Sequence, residues 1–114
     1  MIKANELRQG NWVKVMGYDK QVWDIMIDGV NTLENECCPY DLLEPIVLSP
    51  DILEKCGIID CEDFVGENTY IKIIGAEYFI ICDHVKVSAK PIKYLHQLQN
   101  LYFSLCGEEL SINL

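Results

Sequence analysis

The sequence predicts an α+β protein: an N-terminal small SH3-like β-barrel or meander, then a short helix, an antiparallel β-meander and one long C-terminal helix packed on it. Three observations predict this. Short stretches alternating apolar and polar residues, punctuated by glycine turn signals, recur between residues 11 and 33 and again between 58 and 87. Between the two sets, Ser49-Pro50 opens a brief helical pattern. Finally, Lys90 to Leu110 carries its apolar residues at helical spacing over several turns. The expected division is 1–48 for the barrel-like lobe and 49–114 for the α+β lobe.

In chain order, Asn5-Glu6-Leu7-Arg8 forms a single turn that Gly10 breaks, and Asn11 to Val15 begins an alternating strand. Gly17-Tyr18-Asp19-Lys20 reads as a hairpin turn. Gln21 to Asp28 alternates, with Val22, Asp24, Met26 and Asp28 on one face and Trp23, Ile25 and Ile27 on the other; the two aspartates mark the first face as wet. Asp28-Gly29 is a two-residue turn signal, after which Val30 to Leu33 returns as a third strand. Pro39 to Leu43 makes a helical turn, and Leu43 to Leu48, stiffened by Pro45, is an extended connector.

Ser49 then caps a helix of about two turns, with Ile52, Leu53 and Cys56 inward and Gly57 as the stop. Strands are expected at Ile58–Phe64, Tyr70–Ile74, Glu77–Cys82 and Val85–Val87, an antiparallel meander by the length of its turns. Asp60, Glu62, Asp63 and Glu67 near its first turn lack the ordered spacing of a calcium loop and read as solvated surface.

The long helix is expected over Lys90–Leu110, with Pro91 in its first turn and Gly107 ending it. Its apolar arc of about 200° is wider than an ordinary amphipathic stripe and contains Leu95, Leu98, Leu101, Tyr102 and Leu105. His96, Gln97 and Asn100 fall on the wet arc. Gln99 lies inside the apolar arc, where a buried amide must find partners; it is expected to tie the helix to a sheet edge or to the N-terminal lobe. Gln99, Leu98, Tyr102 and Gly107 are therefore structural candidates. Trp12 and Trp23 read first as the bulky core of a small barrel. Their alternative role is surface recognition, and with His96 and Asn100 they make the candidate interaction surface.

Nine basic residues against eighteen acidic ones give a net charge of −9, and Arg8 is the only arginine. Residues 21–48 carry six acids and no base, and residues 49–69 carry six acids and one lysine, so the acidity forms a central belt. Tight phosphate-driven nucleic-acid binding, which needs clustered cations, is not expected. There is no apolar run of membrane-spanning length, and MIKANELRQG lacks the profile of a secretory signal, which predicts a cytoplasmic protein. The six cysteines, Cys37, Cys38, Cys56, Cys61, Cys82 and Cys106, lack knuckle spacing for zinc even with His84 close to Cys82, and read as reduced, mostly buried thiols. No Walker loop, dinucleotide fingerprint, nucleophile elbow or internal repeat is present, so neither cofactor, metal nor catalytic residue is assigned.

Three blocks, KANELRQGNWVKVMG (Lys3 to Gly17), LLEPIVLSPDILEKCGI (Leu42 to Ile58) and KYLHQLQNLYFSLCGEEL (Lys93 to Leu110), resemble a family of small uncharacterised proteins frequent in anaerobic gut bacteria, their phages and mobile elements. The last block is the most specific, and between the blocks the match is loose. The resemblance implies a cytoplasmic accessory protein and carries over no chemistry. The leading expectation is a non-enzymatic interaction module that binds a protein partner or its own copies. The alternatives are weak nucleic-acid association through Lys3, Arg8, Lys14 and Lys20, and an inhibitor whose acidic belt imitates DNA.

Overall fold

The computed structural model describes Ile2 and residues 4–58, 69–74, 77–82, 85–86 and 90–114. The chain is α+β and divides into two units, one comprising Met1–Val47 with Tyr94–Asn100, the other Leu48–Lys93 with Leu101–Leu114. The helix expected to belong wholly to the second lobe thus contributes its first half to the first.

The first unit opens with a 3₁₀ turn, Ala4–Glu6. Five strands follow: β1 (Trp12–Val15), β2 (Tyr18–Ile25), β3 (Gly29–Thr32), β4 (Cys37–Pro39) and β5 (Leu43–Glu44). They form one antiparallel sheet in the order β4-β3-β2-β1-β5, curled into a half-barrel. The expected connector at Leu43 is therefore a strand at its start, because Val15 and Lys14 pair with Leu43 and Glu44 and satisfy the outer edge of β1. The hairpin between β1 and β2 is also tighter than Gly17–Lys20. Val15 already faces Tyr18, and Met16 and Gly17 alone make the turn at φ +50° and +86°. Two consecutive positive φ values match the right-handed twist of the flanking strands.

Val13, Val22 and Val30 are completely buried and pack with Ile2, Leu7, Val15, Cys38 and Leu43 into one core. Each such valine contributes on the order of 1.5 to 3 kcal/mol by leaving water. The alternation expected along β2 breaks at Trp23. Val22 pairs with Thr32 and Asp24 with Asn31, so Trp23 is the extra residue of a β-bulge. The bulge shifts the phase: Val22 faces inward, Trp23 and Asp24 outward, and Ile25 turns inward again. The expectation that the Trp23 face is the dry one is corrected on this ground.

In the second unit, α1 (Pro50–Lys55) is capped by Ser49, whose hydroxyl accepts the Ile52 N–H at 3.2 Å, and it ends at Gly57 with φ +72°. Ser49→Ala is expected to lower stability by about 1 kcal/mol in denaturant titration, whereas Ser49→Asp, which keeps an acceptor, is expected to lose almost nothing. Strands β6 (Thr69–Ile74), β7 (Glu77–Cys82) and β8 (Val85–Lys86) form an antiparallel meander in that order. Ile71, Phe79, Ile80 and Ile81 are buried, as are Leu53, Cys56 and Ile58. The rest of the expected strand running from Ile58 to Phe64, the acids Asp60, Glu62, Asp63 and Glu67, and Cys61 and His84 lie outside the described residues, as do the turns at 66–68, 75–76 and 83–84 and the side chains of Cys82 and Cys106.

The long helix, α2, covers Leu95–Cys106 and is shorter at both ends than Lys90–Leu110. Pro91 is outside it. In the second unit the Ile92 N–H donates to the Tyr78 carbonyl at 2.8 Å and the Leu48 N–H to the Lys93 carbonyl at 2.9 Å. In the first, Tyr94 bridges Val47 and the Leu95 N–H reaches the Ile46 carbonyl at 2.8 Å. Backbone committed to extended pairing cannot also turn as a helix. The helix then starts on a half capping box, with the Gln97 side chain accepting the Tyr94 N–H at 3.2 Å, and it stops at Gly107, φ +75°.

Candidate functional site

The chemistry-bearing residues that the described structure gathers lie in the first unit, on two surfaces of the sheet's β1–β2 region. One is a buried polar seam. Gln99 is 1% exposed, its Oε1 accepts the Trp12 N–H at 2.8 Å, and its Nε2 donates to the Gly10 carbonyl at 3.0 Å. The Gln21 amide donates to the same carbonyl at 3.0 Å. One turn along α2, the Asn100 carbonyl oxygen accepts from Asn11 Nδ2 at 2.8 Å while its amide donates to the Glu6 carbonyl at 2.9 Å. Asn11, itself completely buried, also accepts the Arg8 N–H at 2.7 Å. The seam fastens residues 6–12 to the first half of α2, and its groups satisfy one another. Asn100, a candidate for the interaction surface, is occupied here.

His96 belongs to the same half-helix and is only 1% exposed, which corrects its expected place on a wet arc. The angular projection treats each residue as equally exposed along the helix axis. Here the first turns are enclosed all round, with Leu95, His96, Leu98 and Gln99 all buried, while Phe103, Ser104 and Leu105 further along are exposed. His96 stacks on Tyr94 with ring centroids 5.9 Å apart and planes 6° from parallel. Neither ring nitrogen finds a hydrogen-bond partner among the described residues. Burial drives its pKa below the ordinary 6.5, opposed weakly by the Glu6 carboxylate. A depressed pKa means the unfolded chain binds the proton more readily, so stability is complete above about 6.5 and falls as pH drops below it. We expect unfolding free energy to decline on acidification from pH 7.5 towards 5, and His96→Phe, which keeps the stack, to flatten that decline. One proton limits the difference in slope to about 1.4 kcal/mol per pH unit; parallel slopes for the two proteins would refute the assignment.

The second surface is the outer face of β2 and β3. Gln21 faces Trp12 on one side, and on the other its carbonyl accepts the Leu33 N–H at 3.1 Å. Directly opposed residues share a face, so Trp12, Gln21 and Leu33 form a row, with Trp23 beside it. Trp12 and Gln21 are half-buried; Trp23 is 53% exposed and Leu33 52%. Trp23 is thus a surface residue and not part of the barrel core. The pattern-based reading overlooked Leu33, and the signal that would have found it was the need to keep Thr32 and Val22 inward together.

The acidic belt is exposed at Asp24, Asp28, Glu34, Glu36, Asp41 and Glu44. Asp28 and Glu34 stand at opposite ends of β3, about 13 Å apart at strand rise. The acids therefore spread over both ends of the sheet instead of lining one flat face. Lys20 bridges Glu34 at 2.5 Å and Glu36 at 2.9 Å, and hydrogen bonding to these two carboxylates raises its pKa above the ordinary 10.5. The same ammonium lowers the pKa of Glu36. Arg8 donates to the carbonyls of Gln9 and Gln99, both at 3.4 Å. Two of the cations expected to contact nucleic acid are accordingly engaged within the unit.

Cys37 is an exposed free thiol, and Cys38 and Cys56 are buried ones. Burial pushes Cys56 up to about 11 and, with Glu36 adding a smaller effect, raises Cys38, which leaves both weak nucleophiles near neutral pH. Among the described residues no group of three or more His, Cys, Asp or Glu is placed to hold a metal ion, and no helix is long and apolar enough to cross a membrane. In the second unit a shallow recess of about 400 Å³ is lined by Asp51, Glu54, Lys55 and Asn113. Leu98 is fully buried and Tyr102 half-buried. No protein-family model, curated protein or solved structure matches the chain.

Proposed function

We propose that this protein is a non-enzymatic protein-interaction module, an accessory protein of a phage or mobile element acting in the cytoplasm. The observation that carries the reading is the exposure of Trp23 and Leu33 beside each other on a sheet whose inner face is filled by its own core. Isolated exposed apolar residues are ordinary, but a tryptophan presented next to a leucine on a rigid strand pair is the composition of a binding surface. The buried polar groups of the unit support the same reading, because Gln99, Asn100 and Asn11 are engaged in holding the chain together. The curled sheet, in which β5 returns to β1, supports an SH3-like barrel, a framework suited to presenting aromatics to peptides. The family resemblance of residues 3–17, 42–58 and 93–110 supports the accessory role.

The test is affinity capture from the native host with wild-type and Trp23→Ala chains, followed by reconstitution from purified components. The expected result is one saturable protein partner that the variant loses. Absence of any such partner, together with turnover of a small-molecule substrate by the purified chain, would sink the reading.

A further inference from the structure

We infer that the outer face of β2 and β3, anchored by Trp23 and Leu33, docks an arginine- or lysine-rich segment of a partner protein, with a cation over the Trp23 ring and an apolar side chain against Leu33. The inference rests on the interaction-module reading and adds the chemistry of the partner.

Three observations converge on a cationic occupant. First, the bulge at Trp23 turns both Trp23 and Asp24 to the outer face, so an exposed indole and an exposed carboxylate are sequence neighbours on one side of the sheet. Tryptophan is the side chain whose ring face attracts a cation most strongly, and an adjacent carboxylate adds charge of the same preference. Second, the register surrounds the apolar row with acids. Asp19 is exposed on β2 two residues from Gln21, and Glu34 follows Leu33 directly. From Asp19 to Glu36 there are five acids and one base, and that base, Lys20, is held by Glu34 and Glu36. Third, this charge disfavours the other occupants. Nucleic acid would bring phosphates to an acidic surface, and a second copy of the chain would bring the same carboxylates against themselves.

The experiment titrates the full chain with three synthetic peptides of equal length, alternating arginine-leucine, arginine-serine and glutamate-leucine, by calorimetry and by amide chemical-shift mapping. The arginine-leucine peptide is expected to bind with shifts centred on Trp23, Asp24 and Leu33, and the arginine-serine peptide more weakly. Trp23→Ala should weaken binding at least about tenfold and Asp24→Lys about three- to tenfold. Both side chains are exposed, and circular dichroism checks that the variants fold; Leu33→Ser is the alternative variant if Trp23→Ala does not. Affinity indifferent to Trp23→Ala and Leu33→Ser, or shifts mapping elsewhere, overturns the inference. Equal or tighter binding of the glutamate-leucine peptide at the same face also overturns it, while leaving the interaction-module reading intact. A dimer in sedimentation velocity that Trp23→Ala dissolves would assign the face to a second copy and overturn it as well. Failure of the broader reading is seen separately, in the absence of any captured partner.

Discussion

Gly29→Ala is expected to lower the unfolding free energy by about 3 kcal/mol or more, the largest effect of any single methyl added to the first unit. A Cβ at this position would lie 2.3 Å from the Cys38 carbonyl oxygen and 3.0 Å from the Pro39 Cα, both backbone atoms of the paired strand. Backbone cannot step aside as a flexible side chain does. Relief requires β4 to separate from β3 at the Gly29–Pro39 and Val30–Cys38 pairs, which opens the core beside Val30 and Cys38. Gly17→Ala is the informative comparison, because it meets no neighbour and bears only the strain of φ +86°. It should lose about 1 kcal/mol. Chemical denaturation measures both, and a Gly29→Ala chain within 1 kcal/mol of wild type would show that β4 is not held where it is described.

Gln99→Leu is the second large effect, expected to lower stability by about 2 kcal/mol although it places an apolar side chain of similar size in an apolar setting. The cost is located in one group. Without Oε1 the Trp12 N–H loses its partner, and an unsatisfied donor of this kind costs about 1–3 kcal/mol. The Gly10 carbonyl is better protected, since Gln21 also donates to it. Removing both amides should therefore be worse than additive, because only the double variant Gln21→Leu/Gln99→Leu leaves that carbonyl bare. If Gln99→Leu left stability unchanged or raised it, the seam would have no mechanical role.

These two residues show how differently structure is written in a sequence. Gln99 was legible because its type conflicts with its surroundings: an amide inside an apolar arc requires partners, and only the identity of those partners, Gly10 and Trp12, was undetermined. Gly29 was misleading. Asp28-Gly29 has the composition of a two-residue turn, yet Ile27 and Asp28 make the reversal, closed by the Met26 N–H donating to the Gly29 carbonyl at 2.8 Å, while Gly29 already belongs to β3. Its glycine is demanded by the approach of β4, a contact nine residues away in sequence that no local pattern encodes. Tyr40 adds a tie of the same kind, donating its hydroxyl proton to the Met26 carbonyl.

The surface residues follow the same rule. Trp23 carries no mark that separates a barrel core from a recognition face, because strand alternation alone assigned it to the dry side, and one bulge reversed the assignment. His96 was placed by helix angle, which knows nothing of what encloses the first turns of α2.

By itself, the sequence determined what depends on neighbours along the chain. The α+β class, the capped helix at Ser49-Pro50, the strands Glu77–Cys82 and Thr69–Ile74 within a residue, and the stop at Gly107 all follow from local periodicity and from residues with special backbone preferences. Only the tertiary structure decided what depends on residues distant in sequence. Pairing of β5 with β1, the late start of α2, the burial of His96 and the exposure of Trp23 each turn on whether another part of the chain arrives to satisfy a backbone edge or exclude water. That arrival is a property of the whole fold, and side-chain periodicity has no access to it.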